Sequence, residues 1–146
     1  MSVVAMEQLL EFSSNNIFLV GTFIAILVFL VFGEYKRLTR CYKELTPNEA
    51  VMMMNHDEAL LLDVREANEV AQGKIKGCKH IPLSNLKQRM DELEEEKGRK
   101  IIIYCRSGNR SGQASAMLCK QQYPEVFNLK GGVLAWQSDN LPLVKK

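Results

Sequence analysis

Residues 100–111 read KIIIYCRSGNRS and join a short apolar run to a loop of cationic and small residues. The run IIIY at 101–104 carries no charge, which is typical of a strand buried on both faces of a parallel sheet. Helix-like sequence follows the loop at 112–122. In open α/β sheets, ligands bind beyond the carboxyl ends of the strands. The loop therefore lies where an α/β protein is expected to have its active site.

The sequence on either side repeats this alternation of apolar and helix-like segments. Three further short strands are predicted, EALLLDV at 58–64, CKHIPL at 78–83 and EVFNLKGG at 125–132. Helices are predicted between and around them, at residues 45–55, 65–73, 84–98, 111–123 and 133–137. In the first of these helices, Thr46 and Glu49 have the spacing of a capping box. Strands that alternate with helices predict an α/β fold around a mainly parallel sheet.

The N-terminal part of the chain is far more apolar. Residues 17–32 read IFLVGTFIAILVFLVF, without a charge. As a helix they would span about 24 Å, and flanking residues can extend this toward a hydrocarbon core of about 30 Å. Acidic residues rather than basic ones precede the run, which disfavours a signal peptide, and the absence of a polar face disfavours a buried globular helix. We predict a transmembrane helix at 17–33 after a short extramembrane segment, 1–16.

The distribution of basic residues predicts the orientation of this helix. No Lys or Arg precedes the apolar run, whereas four follow it closely: Lys36, Arg37, Arg40 and Lys43. The positive-inside rule then places the residues from about 34 onward in the cytoplasm. We expect a single-pass protein of the inner (plasma) membrane, with a basic juxtamembrane linker at 34–43 and one domain at 44–146.

Composition and cysteine spacing exclude several classes of function. The 146 residues carry a formal net charge of +2, and no basic stripe with interleaved aromatic residues suggests a nucleic-acid partner. The cysteines form no C-x-x-C pair and have no zinc-like spacing with the two histidines, so no metal site is predicted. In a reducing cytoplasm these cysteines are expected to be free thiols.

The loop after the most apolar strand has the composition of an anion-binding site next to a cysteine. Gly108 permits a positive φ, which lets successive backbone N–H groups point inward. Ser111 is a candidate cap for the following helix, and Arg106 and Arg110 supply permanent charge. Cys105 is then expected to have a depressed pKa and to be a nucleophilic thiolate. The residues predicted to form the substrate-binding anion loop are Arg106, Ser107, Gly108, Asn109, Arg110 and Ser111.

The motifs CRSGNRS, LLDVRE, GKIKGCKHIPL and LKGGVLAW resemble, in this order and spacing, the single-domain rhodanese sulfurtransferases. The resemblance covers residues 45–143. The span in front of them is similar to that of bacterial membrane-anchored rhodanese proteins, which have a similar NLPLV ending. The resemblance implies a five-stranded parallel sheet flanked by helices. It also implies that Cys105 accepts a sulfane sulfur and carries it as a persulfide.

The implied reaction needs no cofactor and no general base, because the nucleophile is already ionised. The expected partners are a small sulfur donor, thiosulfate or a persulfide, and a thiol acceptor, with an unidentified membrane protein as a further candidate. Arg106 and Arg110 are candidates for binding an anionic donor. Asp63 and Arg65 resemble the family's structural pair, and Glu69 is a candidate partner for an arginine. These three are expected to support the site rather than to catalyse.

Two other functions are compatible with the loop. In cysteine phosphatases an arginine follows the cysteine by six positions. That position is Ser111 here, with Arg110 one residue earlier. A membrane-tethered docking domain without activity is the other alternative, although binding alone gives no chemical need for Cys105. The chain also departs from the resemblance at Lys74, where many rhodaneses have a histidine, and this puts any role of that imidazole in doubt.

Overall fold

The computed structural model describes residues 3–145, without the side chains of residues 3–6, 9, 10, 36 and 37. The outer ends of the predicted N-terminal segment and of the predicted C-terminal domain lie outside the described residues. So do two of the basic side chains on which the predicted orientation rests, Lys36 and Arg37. The chain divides into two compact units, Met1–Arg40 and Cys41–Lys146.

The N-terminal unit consists of two helices, α1 (Val3–Asn15) and α2 (Ile17–Leu38). Within α2, the stretch Ile17–Tyr35 is long and apolar enough to cross a membrane, with a mean hydropathy of 2.5. Its apolar side chains are exposed, with Phe18 at 90%. The hydroxyl of Thr22 donates to the carbonyl oxygen of Phe18 at 2.7 Å. This hydrogen bond pairs the hydroxyl within the helix.

The described residues of the C-terminal unit form a five-stranded parallel sheet, which confirms the predicted fold class. Its strands lie in the order β1-β5-β4-β2-β3. They are β1 (Lys43–Leu45), β2 (Leu60–Asp63), β3 (Lys79–His80), β4 (Ile101–Tyr104) and β5 (Val126–Leu129). The central strand β4 is fully buried, as its uncharged sequence predicts.

Alternate residues of β4 face two separate cores. Ile101 and Ile103 pack on one face of the sheet with residues of α5 (Leu83–Leu86) and α6 (Asn109–Lys120). Ile102 and Tyr104 pack on the other face with residues of α3 (Pro47–His56) and α7 (Gly132–Ser138). A sheet covered on both faces needs apolar side chains at every strand position, because the period of two sends neighbours to opposite sides.

The remaining helical segments are α4 (Ala67–Val70) and a 3-10 helix (Met90–Glu96). The capping box that the sequence predicts before α3 is present: Thr46 and Glu49 exchange hydrogen bonds, with Thr46 N donating to Glu49 Oε2 at 2.8 Å.

The single helix predicted at 84–98 is wrong, since α5 and the 3-10 helix share this segment. The Lys79 ammonium donates to the carbonyl oxygen of Glu92 at 2.5 Å, and this tertiary contact competes for a main-chain acceptor there. The helix predicted at 65–73 is reduced to α4.

Candidate active site

The loop 105–111 begins directly after β4 and runs into α6. Cys105 is only 1% exposed, at the carboxyl edge of the sheet. Gly108 precedes α6 with a φ of 97°, the left-handed conformation that glycine adopts without strain. This turn lets the chain reverse from a buried strand into a helix whose first N–H groups lie near the cysteine.

Several donors converge on the Cys105 sulfur. The Gly108 N–H donates to Cys105 Sγ at 3.1 Å, and the Ser111 hydroxyl donates to it at 3.4 Å. Burial would raise the pKa of the Cys105 thiol. Hydrogen bonds to the sulfur outweigh this effect and lower the pKa. They come from the Ser111 hydroxyl and from the backbone N–H groups of Ser111, Ser107 and Gly108. The loop therefore favours a buried thiolate, the nucleophilic form of cysteine.

Ser111 does not cap α6, in contrast to the expectation from the sequence. Gly108 occupies the cap position, and no side chain bonds there. Ser111 is instead the third residue of the helix and fully buried, with both its hydroxyl and its N–H directed to Cys105. The N–H groups of a first helical turn have no intrahelical acceptor. The thiolate supplies one.

The start of α7 holds the opposite side of the loop. The Val133 N–H donates to the Cys105 carbonyl oxygen at 2.9 Å, and the Leu134 N–H donates to the Arg106 carbonyl oxygen at 3.1 Å. A Cβ on Gly132 would collide with the Cys105 oxygen and would lie 2.7 Å from the Arg106 oxygen. The close approach therefore requires glycine at this position.

Asn128 of β5 is a further contact that the sequence reasoning missed. Its Nδ2 donates to the Gly108 carbonyl oxygen at 3.2 Å, while its Oδ1 has no partner among residues 3–145. The sequence offers one signal for this side of the loop, the glycine pair of LKGGVLAW. By itself that motif indicates packing and a turn, whereas in the structure Gly132 also brings α7 against the loop.

Asp63 and Arg65, which the resemblance gives as a structural pair, form a buried ion pair. Arg65 Nη2 lies 2.7 Å from Asp63 Oδ2, and the two residues are 5% and 0% exposed. Arg65 Nη2 also donates to the Gly73 carbonyl oxygen at 2.9 Å. The pair thus ties the end of β2 to the segment after α4. Lys74, the departure from the resemblance, lies beside this segment and pairs through its backbone with Val144.

Glu69 and Arg110 form a second, partly exposed ion pair next to the loop. The two guanidinium nitrogens donate to the two carboxylate oxygens at 2.6 and 2.7 Å. The hydrogen bonds from Arg110 lower the pKa of Glu69 to about 2, so the carboxylate is ionised and offsets the arginine's charge. Arg106 differs: it is exposed, and its side chain makes no ion pair within the described range. Asn109 is an exposed residue at the start of α6.

The site contains the groups for nucleophilic chemistry. Among the described residues, no cluster of three or more His, Cys, Asp or Glu side chains could hold a metal ion. A thiolate surrounded by N–H donors can attack an electrophilic sulfur, and the same donors can stabilise the anion that results.

Comparisons with known proteins identify the same part of the chain. The family model described as the rhodanese-like domain matches residues 46–139. A protein of Allochromatium vinosum named "Sulfurtransferase" is 44% identical over 88 residues, which cover 60% of this chain and 80% of the relative. Escherichia coli "Uncharacterized protein YibN" is 31% identical over 141 residues, 96% of this chain and 99% of the relative. A match of that length includes most of the N-terminal helices.

The fold is also similar to solved structures. The crystal structure of a rhodanese-related protein from Thermoplasma volcanium superposes with a TM-score of 0.61 at 27% identity. The match covers 72% of this chain and 100% of that one.

Proposed function

The chain belongs to the rhodanese-like domain family, and on that premise we propose that it is a membrane-anchored sulfurtransferase that carries a sulfane sulfur on Cys105. The observation that carries the proposal is the convergence of Gly108 N–H and the Ser111 hydroxyl on the Cys105 sulfur. These donors lower the pKa of a thiol that burial alone would keep protonated.

The first step loads the cysteine. With thiosulfate as donor, the Cys105 thiolate attacks the outer sulfur, the S–S bond breaks, and sulfite leaves with the electron pair. Cys105 then holds a persulfide anion. In the second step a thiophile attacks the outer sulfur of this persulfide, and the Cys105 thiolate is restored. No oxidant or reductant enters the cycle, since each step exchanges one bond to sulfur for another.

The loop assists both steps through groups that are already in place. The N–H donors that stabilise the thiolate also suit the persulfide anion, because both carry a negative charge at the mouth of the same turn. In this proposal Arg106 attracts anionic donors, and Arg110 helps to position the loop through Glu69. Asp63 and Arg65 support the neighbouring segment rather than contact the substrate.

Turnover of the full-length chain in detergent tests the proposal. With a sulfane-sulfur donor and cyanide as acceptor, we expect thiocyanate to form and the Cys105→Ser variant to form none above background. Cys78→Ser is the matched control, because Cys78 is a half-buried cysteine that lies outside the loop, and this variant should stay within about twofold of the parent rate. Equal activity in Cys105→Ser would exclude the proposed nucleophile.

The membrane anchor is a separate part of the proposal. The length and the exposed apolar surface of Ile17–Tyr35 support it. We expect the protein to stay with membranes after alkaline carbonate extraction. Protease added to intact spheroplasts should leave the C-terminal unit whole, and protease added to inverted vesicles should digest it. The reverse pattern would place this unit outside the cytoplasm.

A further inference from the structure

A pair of thiols outside the loop lies at the start of the C-terminal unit. The side chains of Cys41 and Cys119 form a hydrogen bond with each other. Cys41 precedes β1 and is exposed, whereas Cys119 is half-buried near the end of α6. Both cysteines are free thiols, and neither belongs to the loop at Cys105. Two free thiols in contact can complete a thiol–disulfide exchange that a single cysteine cannot.

This hydrogen bond is part of a longer contact between residues 41–42 and α6. The Tyr42 hydroxyl lies 2.9 Å from the position that a Cβ of Gly112 would take. Gly112 and Cys119 are about two helical turns apart and therefore lie on the same face of α6. Cys41 meets this face at Cys119, and Tyr42 meets it at Gly112. Tyr42 and Cys119 also pack against the same core cluster.

Strand β1 fixes the position of this segment. Its first residue, Lys43, pairs with Phe127 of β5, and β5 packs against α6. Because Lys43 directly follows Tyr42, Cys41 is only two residues away from a paired strand. Two groups that a fold holds near each other react at a high effective concentration. A disulfide within the chain is therefore favoured over one with a second molecule.

The two thiols have different surroundings, which assigns them different roles. Burial raises the pKa of Cys119, and the hydrogen bond with Cys41 raises it further, to about 12. Cys119 is therefore protonated at neutral pH, and its S–H donates to the Cys41 sulfur. Cys41 is exposed, so a dissolved reagent reaches it first. These surroundings make Cys41 the attacking cysteine and Cys119 the resolving one.

From this contact we infer that Cys41 and Cys119 are a redox-active dithiol, which a low-molecular-weight disulfide converts to an intramolecular disulfide. The Cys41 thiolate attacks one sulfur of R–S–S–R, the S–S bond breaks, and R–S⁻ leaves with the electron pair. Cys119 then releases its proton to solvent and attacks the Cys41 sulfur, and a second R–S⁻ leaves. The two protein thiols are oxidised, and R–S–S–R is reduced to two R–S⁻, which take up the two protons.

The disulfide joins two parts of the chain that flank the candidate active site. Cys41 directly follows the N-terminal unit in sequence, and α6 carries Ser111, which donates to the Cys105 sulfur. The new bond would tie residue 41 to this helix covalently. Cys105 takes no part in the exchange, so the inference stands or falls independently of the proposed sulfur transfer.

Glutathione buffers applied to the full-length chain in detergent test the inference. The chain is equilibrated at pH 7.5 with reduced and oxidised glutathione, quenched with acid, alkylated and digested, and the joined peptides are quantified by mass spectrometry. An intramolecular disulfide depends on the square of the reduced glutathione concentration, whereas a mixed disulfide depends on its first power. Tenfold dilution of the buffer at a constant ratio of the two forms should raise the ratio of Cys41–Cys119 disulfide to dithiol about tenfold.

Cys78 supplies the control within the same sample. Its side chain contacts the Tyr104 hydroxyl, so it should form a mixed disulfide with glutathione whose fraction stays constant on dilution. The Cys78→Ser variant should keep the dilution response of the Cys41–Cys119 disulfide. Cys119→Ser should stop at the mixed disulfide on Cys41.

Two results would overturn the inference. The first is a parent chain in which Cys41 carries glutathione and Cys119 stays reduced at every dilution. The second is a Cys41–Cys41 disulfide between two copies of the chain, seen as a dimer on a non-reducing gel and as the corresponding joined peptide.

Discussion

Cys78 is half-buried and Cys105 is buried, and their surroundings shift the pKa of the two thiols in opposite directions. Burial raises the pKa of Cys78, and the hydrogen bond from the buried Tyr104 hydroxyl does not offset it. The pKa of Cys105 is lowered, because a hydroxyl and several N–H groups surround its sulfur. Burial without strong hydrogen bonds to the sulfur therefore favours the protonated thiol of Cys78. The hydrogen bonds of the loop favour the thiolate of Cys105.

The surroundings of Cys78 and Cys105 also differ in how closely a nearby glycine is packed. The segment before β3 contains Gly77, which has a φ of 79° and open space where a Cβ would lie. Gly132 has a φ of 56° and no such space, because the Cys105 and Arg106 carbonyl groups lie against it. The first glycine serves only a turn, whereas the second presses α7 onto the loop.

The largest effect is expected from Gly132→Ala. The new methyl group must displace the loop, so the N–H donors should separate from Cys105 and its pKa should return toward that of an ordinary thiol. At pH 6 a thiol of pKa about 8.5 is ionised in roughly one molecule in 300. We expect alkylation of Cys105 by iodoacetamide at pH 6 to slow by at least about tenfold.

Gly77→Ala is the matched control for this variant. It places the same methyl group on another positive-φ glycine, with a comparable backbone strain of about 1–2 kcal/mol, but away from the loop. Its Cys105 alkylation rate should equal that of the parent. If both variants slow alkylation alike, general destabilisation rather than contact with the loop explains the effect.

A smaller effect is expected from Ser111→Ala. The substitution removes one hydrogen bond to the thiolate and leaves the backbone donors, so the pKa of Cys105 should rise. Because the thiolate is the reactive form, the midpoint of the alkylation–pH profile should move to higher pH. The rate at pH 6 should fall about tenfold at most, and the plateau at high pH should be unchanged.

Ser115→Ala serves as its control. Ser115 is buried one turn further along α6, and its hydroxyl has no partner among residues 3–145. Removing that hydroxyl should leave the alkylation–pH profile in place. An identical shift in both variants would contradict a direct role for the Ser111 hydroxyl.

The smallest effect on the reactivity of Cys105 is expected from Tyr104→Phe, because the Tyr104 hydroxyl contacts Cys78 instead. The Tyr104 hydroxyl accepts a hydrogen bond from the Ile75 N–H at 3.2 Å. Its loss leaves this buried N–H unpaired, which should lower the free energy of unfolding by about 1–3 kcal/mol in urea titrations. The pKa of Cys78 should rise further, since the hydroxyl lowers it. A shift in the Cys105 profile would show that the two segments are coupled.

The sequence was sufficient for the parts of the fold that depend on local pattern. The uncharged run of β4 and the capping box of Thr46 and Glu49 both predicted what the structure contains. Strand β1 was missed, because Lys43–Leu45 is too short and too polar to show a pattern and exists by pairing with β5. The single helix predicted at 84–98 was wrong. Hydrophobic periodicity does not show tertiary contacts such as the hydrogen bond from Lys79 to the Glu92 carbonyl oxygen.

The candidate site was predictable in composition but not in arrangement. Cys105, Gly108 and the arginines indicate an anion-binding loop through their chemistry alone. The roles of Asn128 and Gly132 depend on strands and helices that meet only in three dimensions. For the same reason the sequence does not distinguish Arg106 from Arg110, although Glu69 neutralises only Arg110.

Site-resolved mass spectrometry tests most directly whether the loop makes Cys105 the sulfur carrier. The full-length chain in detergent is incubated with glutathione persulfide at pH 6.5, digested, and each cysteine-containing peptide is weighed before and after cyanide treatment. We predict one added sulfur atom on the Cys105 peptide alone, removed by cyanide. Sulfur spread over Cys41, Cys78 and Cys119, with none on Cys105, would contradict the prediction that the loop, rather than exposure, determines which thiol reacts.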